Sequence, residues 1–158
     1  MLLLLGGEAA DATVRPDPYS IVSPDAGSIT TSGAMGRSSC SLASPGGALT
    51  SLLGGATGPI TRGFTNGCSG TVVRGYFLWP VNVTIQRGNV TVRADHLITN
   101  FVGGECLYSA TLTGTVANGS SSFTVSNVAV PLTRRLSGVC DTSLEIRFTF
   151  STAATITW

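Results

Sequence analysis

The chain has 158 residues, of which 42% are hydrophobic and only 11% charged, with a formal net charge of +1. That length fits one domain with a full core, and a charge content far below the roughly 25% of ordinary soluble proteins leaves a surface built mainly from hydroxyls and backbone. A chain so close to neutral lacks the field that phosphate-backbone binding needs, so nucleic acid is excluded as the expected partner.

Residues 1–12 read as a truncated secretory signal. Leu2 to Leu5 form a short apolar run, and Ala10-Asp11-Ala12 matches the small-x-small pattern of a cleavage site, although no basic region precedes the run and Glu8 interrupts it. No later run is long enough for a transmembrane helix, so no transmembrane anchor is expected in the mature chain. Residues 13–35 are rich in Pro, Ser and Gly. Pro16, Pro18 and Pro24 exclude a helix and a central strand there, which leaves an extended arm ahead of a single domain over residues 36–158.

Four cysteines follow, Cys40, Cys68, Cys106 and Cys140, widely spaced and without a C-x-x-C pair. This spacing argues against zinc and against a thioredoxin-like site. Of the three connectivities, Cys40 with Cys68 and Cys106 with Cys140 is favoured, because each pair brackets a local stretch. Such bonds persist in an oxidising compartment, in agreement with an export signal. Between the first two cysteines, "GGALTSLLGGATG" offers the one candidate helical turn, residues 48–53, kept short by its glycines.

Beyond Gly70 the strand period is plain. Val90, Val92, Ala94, His96 and Ile98 alternate with Thr91, Arg93, Asp95, Leu97 and Thr99. Cys106, Tyr108, Ala110, Leu112 and Val116 share one face of the next stretch, and Leu144, Ile146, Phe148 and Phe150 one face of the last. Asn118-Gly119 predicts a type I′ hairpin turn, Arg87-Gly88 a weaker one of the same kind, and "SGVCDTS" a longer loop. Short strands without intervening helices predict an all-β fold, a two-sheet antiparallel sandwich with disulfides near its sheet edges.

Chemistry-bearing residues are sparse. His96 is the lone histidine, and its apolar register points to a core position; the neighbouring Asp95 faces the other way and cannot orient it. Asp17, Asp25, Asp95, Glu105, Asp141 and Glu145 show no pairing across a cleft, no G-x-S-x-G elbow occurs, and no calcium loop is present. No metal or cofactor is expected. Asn82, Asn89 and Asn118 open glycosylation sequons that read as strand and turn residues. The aromatic stretch "RGYFLWPVNV" holds the ligand-binding candidates Tyr76, Phe77 and Trp79, which suit stacking on a sugar ring or a partner if they face outward and core packing if they do not.

"LWPVNVTI", "GGECLYSATLTGTVANGSSSFTVSNVAV" and the late "GVC" resemble the pattern of small exported β-rich proteins common in actinobacteria, over roughly residues 70–158. The resemblance implies an exported β-rich protein and carries over no catalytic residue. The expectation is a non-catalytic protein, secreted or in the cell envelope, with a binding, adhesion or self-assembly role toward itself or an envelope glycan. Two alternatives stand beside it: a small hydrolase using His96, and an enzyme inhibitor presenting residues 138–143 beside Cys140.

Overall fold

The computed structural model describes residues 14–15, 19–21, 26–52 and 55–157. The predicted signal segment lies outside the described residues, as do Pro16, Pro18 and Pro24 of the Pro-rich stretch. Among the described residues ten antiparallel strands run in chain order: β1 (Val14–Arg15), β2 (Tyr19–Ile21), β3 (Ala26–Gly33), β4 (Gly36–Leu52), β5 (Gly55–Gly70), β6 (Val72–Gln86), β7 (Asn89–Asn100), β8 (Glu105–Thr115), β9 (Ser120–Ser137) and β10 (Ser143–Ile156). The segment read as a helical turn is strand throughout its described part, within β4.

The strands belong to one curled sheet rather than the two facing sheets of a sandwich. From β3 to β10 each strand pairs with its neighbour in sequence, and β10 pairs with both β9 and β3, Phe148 lying opposite Val125 on one side and Ile29 on the other. The ladder thus returns on itself. It is parted on one flank, where β5 and β6 pair only from Gly55↔Gln86 to Ile60↔Val81. Long strands explain the curl: β4, β5 and β9 have 17, 16 and 18 residues, and the right-handed twist accumulated over such lengths rolls a sheet up. Register shifts in β4 between Ala43 and Gly47 let that strand bend and pass through the Ser-Pro-Gly-Gly run that reads locally as a breaker.

Arg87 and Gly88 both have positive φ, 48° and 84°, between the paired residues Gln86 and Asn89, as a two-residue type I′ turn demands. The Asn118-Gly119 turn differs from expectation. Only Gly119 has positive φ there, and Ser120 N donates to Ala117 O, so the turn is of type II form while β8 and β9 still pair around it. The stretch read as an extended arm belongs to the sheet where it is described: Val14–Arg15 pairs with Thr155 and Ile156, Tyr19–Ile21 with residues 47–49, and Ala26–Gly33, which lies past the last of the three prolines, is β3, a ladder strand paired with β10 on one side and β4 on the other.

Alternation sets the inside. Every even-numbered residue of β7 from Val90 to Asn100 is buried, as are Cys106, Tyr108, Ala110 and Leu112 on β8 and Leu144, Ile146, Phe148 and Phe150 on β10. The concave side is filled by large rings. Phe77 meets Phe148 edge-on at 5.2 Å, and Phe123 stacks on Phe150 at 5.9 Å. The convex side carries Thr91, Arg93, Asp95, Thr111 and Thr113, a polar-out, apolar-in distribution that is the reverse of a lipid-spanning barrel.

Candidate functional site

The turns joining β3 to β4, β5 to β6, β7 to β8 and β9 to β10 all fall at one end of the curled sheet, and polar residues knit them together. Asn100, buried at the end of β7, is the hub. Its Oδ1 accepts from Gly104 N at 2.8 Å and Val102 N at 3.1 Å, and its Nδ2 donates to Val139 O at 2.7 Å, tying the β7–β8 turn to the β9–β10 loop. Gly104 has to be glycine, because a Cβ there would strike the Val139 carbonyl. Phe101 N donates to Thr71 O, Thr71 N to Arg37 O, and Val72 N to the buried Ser38 Oγ, which extends the network to the other two turns. Both predicted disulfides form: Cys106–Cys140 pins the β9–β10 loop to β8, and Cys40–Cys68 joins β4 to β5 near the same end.

Tyr108 closes the cap from beneath, its Oη donating to Asp141 O at 2.7 Å. Burial, and secondarily the negative charge of Asp141, push its phenol up to about 12 from the ordinary 10. A raised folded-state pKa on an acid stabilises the fold fully below the unfolded value and loses that contribution as pH climbs through the folded one, here between pH 10 and about 12. Tyr108→Phe removes that loss. The variant is expected to be about 1 kcal/mol less stable near neutrality, from the missing hydrogen bond, and to close the gap with wild type above pH 10. Urea midpoints at pH 8, 10.5 and 11.5 check this; parallel curves for the two proteins would sink it.

The cap presents apolar residues to solvent. Phe101 is 61% exposed and Val102 49%, in the β7–β8 turn; Val139 is 63% exposed in the β9–β10 loop, with Leu136 and Val73 exposed beside them at the ends of β9 and β6. Arg74 adjoins Val73, and Arg134 and Arg135 precede Leu136. Sequence reading missed this cluster. Its signal is Phe101-Val102 set between Asn100 and Gly103-Gly104, an apolar pair at a turn position, where side chains face water.

The candidates singled out from sequence fall elsewhere. Phe77 is buried, its ring 5.2 Å from that of His96 and packed on Phe148, so it offers no face to a ligand; the inward parity of its strand puts it there. The side chains of Tyr76 and Trp79 lie outside the described residues. His96 is 1% exposed, opposite Phe77 on one side and Tyr108 on the other. The ring of His96 therefore lies in the core, as its apolar register predicts, and not at the surface. Among the described residues no group of three or more His, Cys, Asp or Glu is placed to hold a metal ion.

Two shallow grooves mark the convex wall. One of about 330 Å³ is lined by Asn82, Arg93, Asp95, Ser109 and Thr111, the other of about 340 Å³ by Thr30, Ser32, Arg37, Glu145 and Arg147. Arg147 and Glu145 approach only to 3.9 Å in the open, a pair of small energetic worth. Inside the cap, a cavity of about 20 Å³ between Thr31, Val72, Asn100 and Tyr108 has room for about one water and no ligand.

Comparison with protein-family models, curated proteins and solved structures finds no match to the chain.

Proposed function

We propose that the protein is a non-catalytic binding protein of the cell envelope or extracellular space, with an adhesion or self-assembly role, and that it makes contact through its capped end. The observation that carries this reading is the gathering of Val73, Phe101, Val102, Leu136 and Val139, exposed, at the one end braced by a disulfide and a buried asparagine. Isolated exposed apolar residues are ordinary; a cluster held rigid by covalent and polar bracing marks a contact surface. Two disulfides support an oxidising compartment, and the resemblance of residues 70–158 to small exported proteins agrees with it.

The test is a Phe101→Ser/Val139→Ser variant. It is expected to melt within about 2 °C of wild type, since both residues are exposed, and to lose at least tenfold in association, read by retention on host envelope preparations and by sedimentation equilibrium. Wild-type protein that is monomeric at high concentration and unretained by envelope material would overturn the proposal.

One observation favours the inhibitor alternative. Val139 stands out from a loop pinned by Cys140 on one side and by Asn100 on its own carbonyl, the preorganisation that a substrate-mimicking loop uses. Inhibition of an extracellular protease that is abolished by Val139→Asp would establish that reading in place of adhesion.

A further inference from the structure

We infer that the capped end docks on an anionic lipid surface, seating Phe101, Val102 and Val139 in the interfacial layer while arginines at its rim meet the headgroups. The inference rests on the reading of the capped end as the contact surface and names what it contacts. Of three observations, hydrogen bonding and charge favour lipid over a protein partner, and the size of the patch suffices for it.

The first is hydrogen bonding. A backbone amide can leave water cheaply only if it is already paired within the protein. At the tip all four successive amides are: Phe101 N donates to Thr71 O, Val102 N to Asn100 Oδ1, Gly103 N to Asn100 O and Gly104 N to Asn100 Oδ1. On the adjoining loop the Val139 carbonyl takes Asn100 Nδ2, and the Gly138 carbonyl takes Arg135 Nη1. A surface built to recognise another chain through its backbone would leave some of these groups outward. These six are already paired, and the side chains beside them offer carbon.

The second is size. The exposed apolar area of the cluster is on the order of 400 Å², enough to mark an interaction site and close to the apolar share of what each partner contributes to a standard protein interface, so size alone admits either. Shallow insertion of several tips needs no more. The tips belong to different turns brought to one end by the up-and-down order of the strands, so they can enter a plane together. Val14 pairs with Ile156, and the Ile156 carbonyl accepts from Gly119 N in the β8–β9 turn at the opposite end, so β1 does not lie over the cluster.

The third is charge. The chain as a whole is nearly neutral, yet from residue 26 onward eight arginines face four carboxylates, the other four acidic residues being Glu8, Asp11, Asp17 and Asp25. At the capped end Arg74, Arg134 and Arg135 are exposed next to the apolar residues and outnumber the two carboxylates there, Glu105 and Asp141, so Arg74 and Arg134 can reach lipid phosphates.

The experiment uses the full oxidised chain with vesicles of phosphatidylcholine alone or phosphatidylcholine with one quarter phosphatidylglycerol, read by flotation. Binding to the anionic vesicles is expected to exceed binding to the neutral ones by tenfold or more and to fall as salt is raised. Phe101→Ser/Val139→Ser should weaken it at least tenfold, Arg74→Ser/Arg134→Ser should remove the preference for the anionic lipid, and Phe101→Trp should shift its emission to the blue on binding. Equal, weak flotation with both vesicle types overturns the lipid inference. If in that case the Phe101→Ser/Val139→Ser variant still loses retention on envelope material or dissociates a dimer, a glycan, a protein or a second copy is the occupant and the broader proposal stands. If the variant changes no association at all, both fall.

Discussion

Replacing Cys106 and Cys140 together by alanine is expected to cost about 3–4 kcal/mol, a fall in melting temperature of roughly 10–15 °C. The bond closes a span of 34 residues, so its loss returns to the unfolded chain the freedom of a long loop. Alanine is the appropriate replacement because Cys106 is fully buried, and a serine hydroxyl there would add its own desolvation cost. Cys40–Cys68 spans 28 residues, which by loop entropy alone makes it almost as valuable. The two bonds differ in what they hold. Cys40 and Cys68 join strands that are paired on both sides of the bond, Ser39 with Ser69 and Ser41 with Asn66, across a one-residue register shift. Cys140 lies in a loop held otherwise by single hydrogen bonds, among them Asn100–Val139 and Tyr108–Asp141. Both alanine pairs should therefore lower the melting temperature, while only the Cys106/Cys140 pair should speed amide exchange at residues 101–104 and weaken vesicle or envelope binding. Equal effects of the two pairs on binding would mean that cap rigidity is irrelevant to contact.

Beyond Gly70, strand content and facing were legible in the sequence because they are local, and so was the disulfide pairing; β3 and β4, read as part of an extended arm and as a helical turn, were not. A period of two separates inside from outside, and each residue assigned inward on β7, β8 and β10 is buried. Closure was not legible. It depends on Phe148 finding Ile29, more than a hundred residues away, and nothing in the pattern of either strand distinguishes a partner in the same curled sheet from one in a facing sheet. The aromatic stretch misled for a related reason. Composition says that Phe77 is large and able to stack, while only its parity with Val81 and Val83 says that it faces the interior. Phe101 and Val102 carried the opposite signal, apolar residues between turn formers, and their meaning emerged only when topology brought Val139 and Val73 to the same end. Asn100 was likewise visible as a turn residue, but its partner carbonyl at Val139 lies 39 positions away.

Phe148→Ala is the other large effect, expected at about 3–5 kcal/mol. Phe148 sits on the strand that closes the ladder, fully buried, edge-on to Phe77 at 5.2 Å and tilted against Phe150 at 5.9 Å. Its removal takes away both the transfer energy of a ring and the packing of two others. Phe148→Leu should recover most of the loss, to within about 1.5 kcal/mol of wild type, and Val128→Ser, at a position 77% exposed, should change stability by less than about 0.5 kcal/mol. The alanine variant also tests where function resides. A curled sheet of eight main strands is wide enough either to be filled by side chains or to hold one small ligand, and here Phe77, Tyr108, Phe148 and Phe150 fill it. Benzene should therefore raise the melting temperature of Phe148→Ala, by occupying the dry cavity that the ring leaves, and should leave wild type unchanged. A rise in wild type as well would show that the interior admits ligands, and would move the functional site from the capped end to the inside of the sheet.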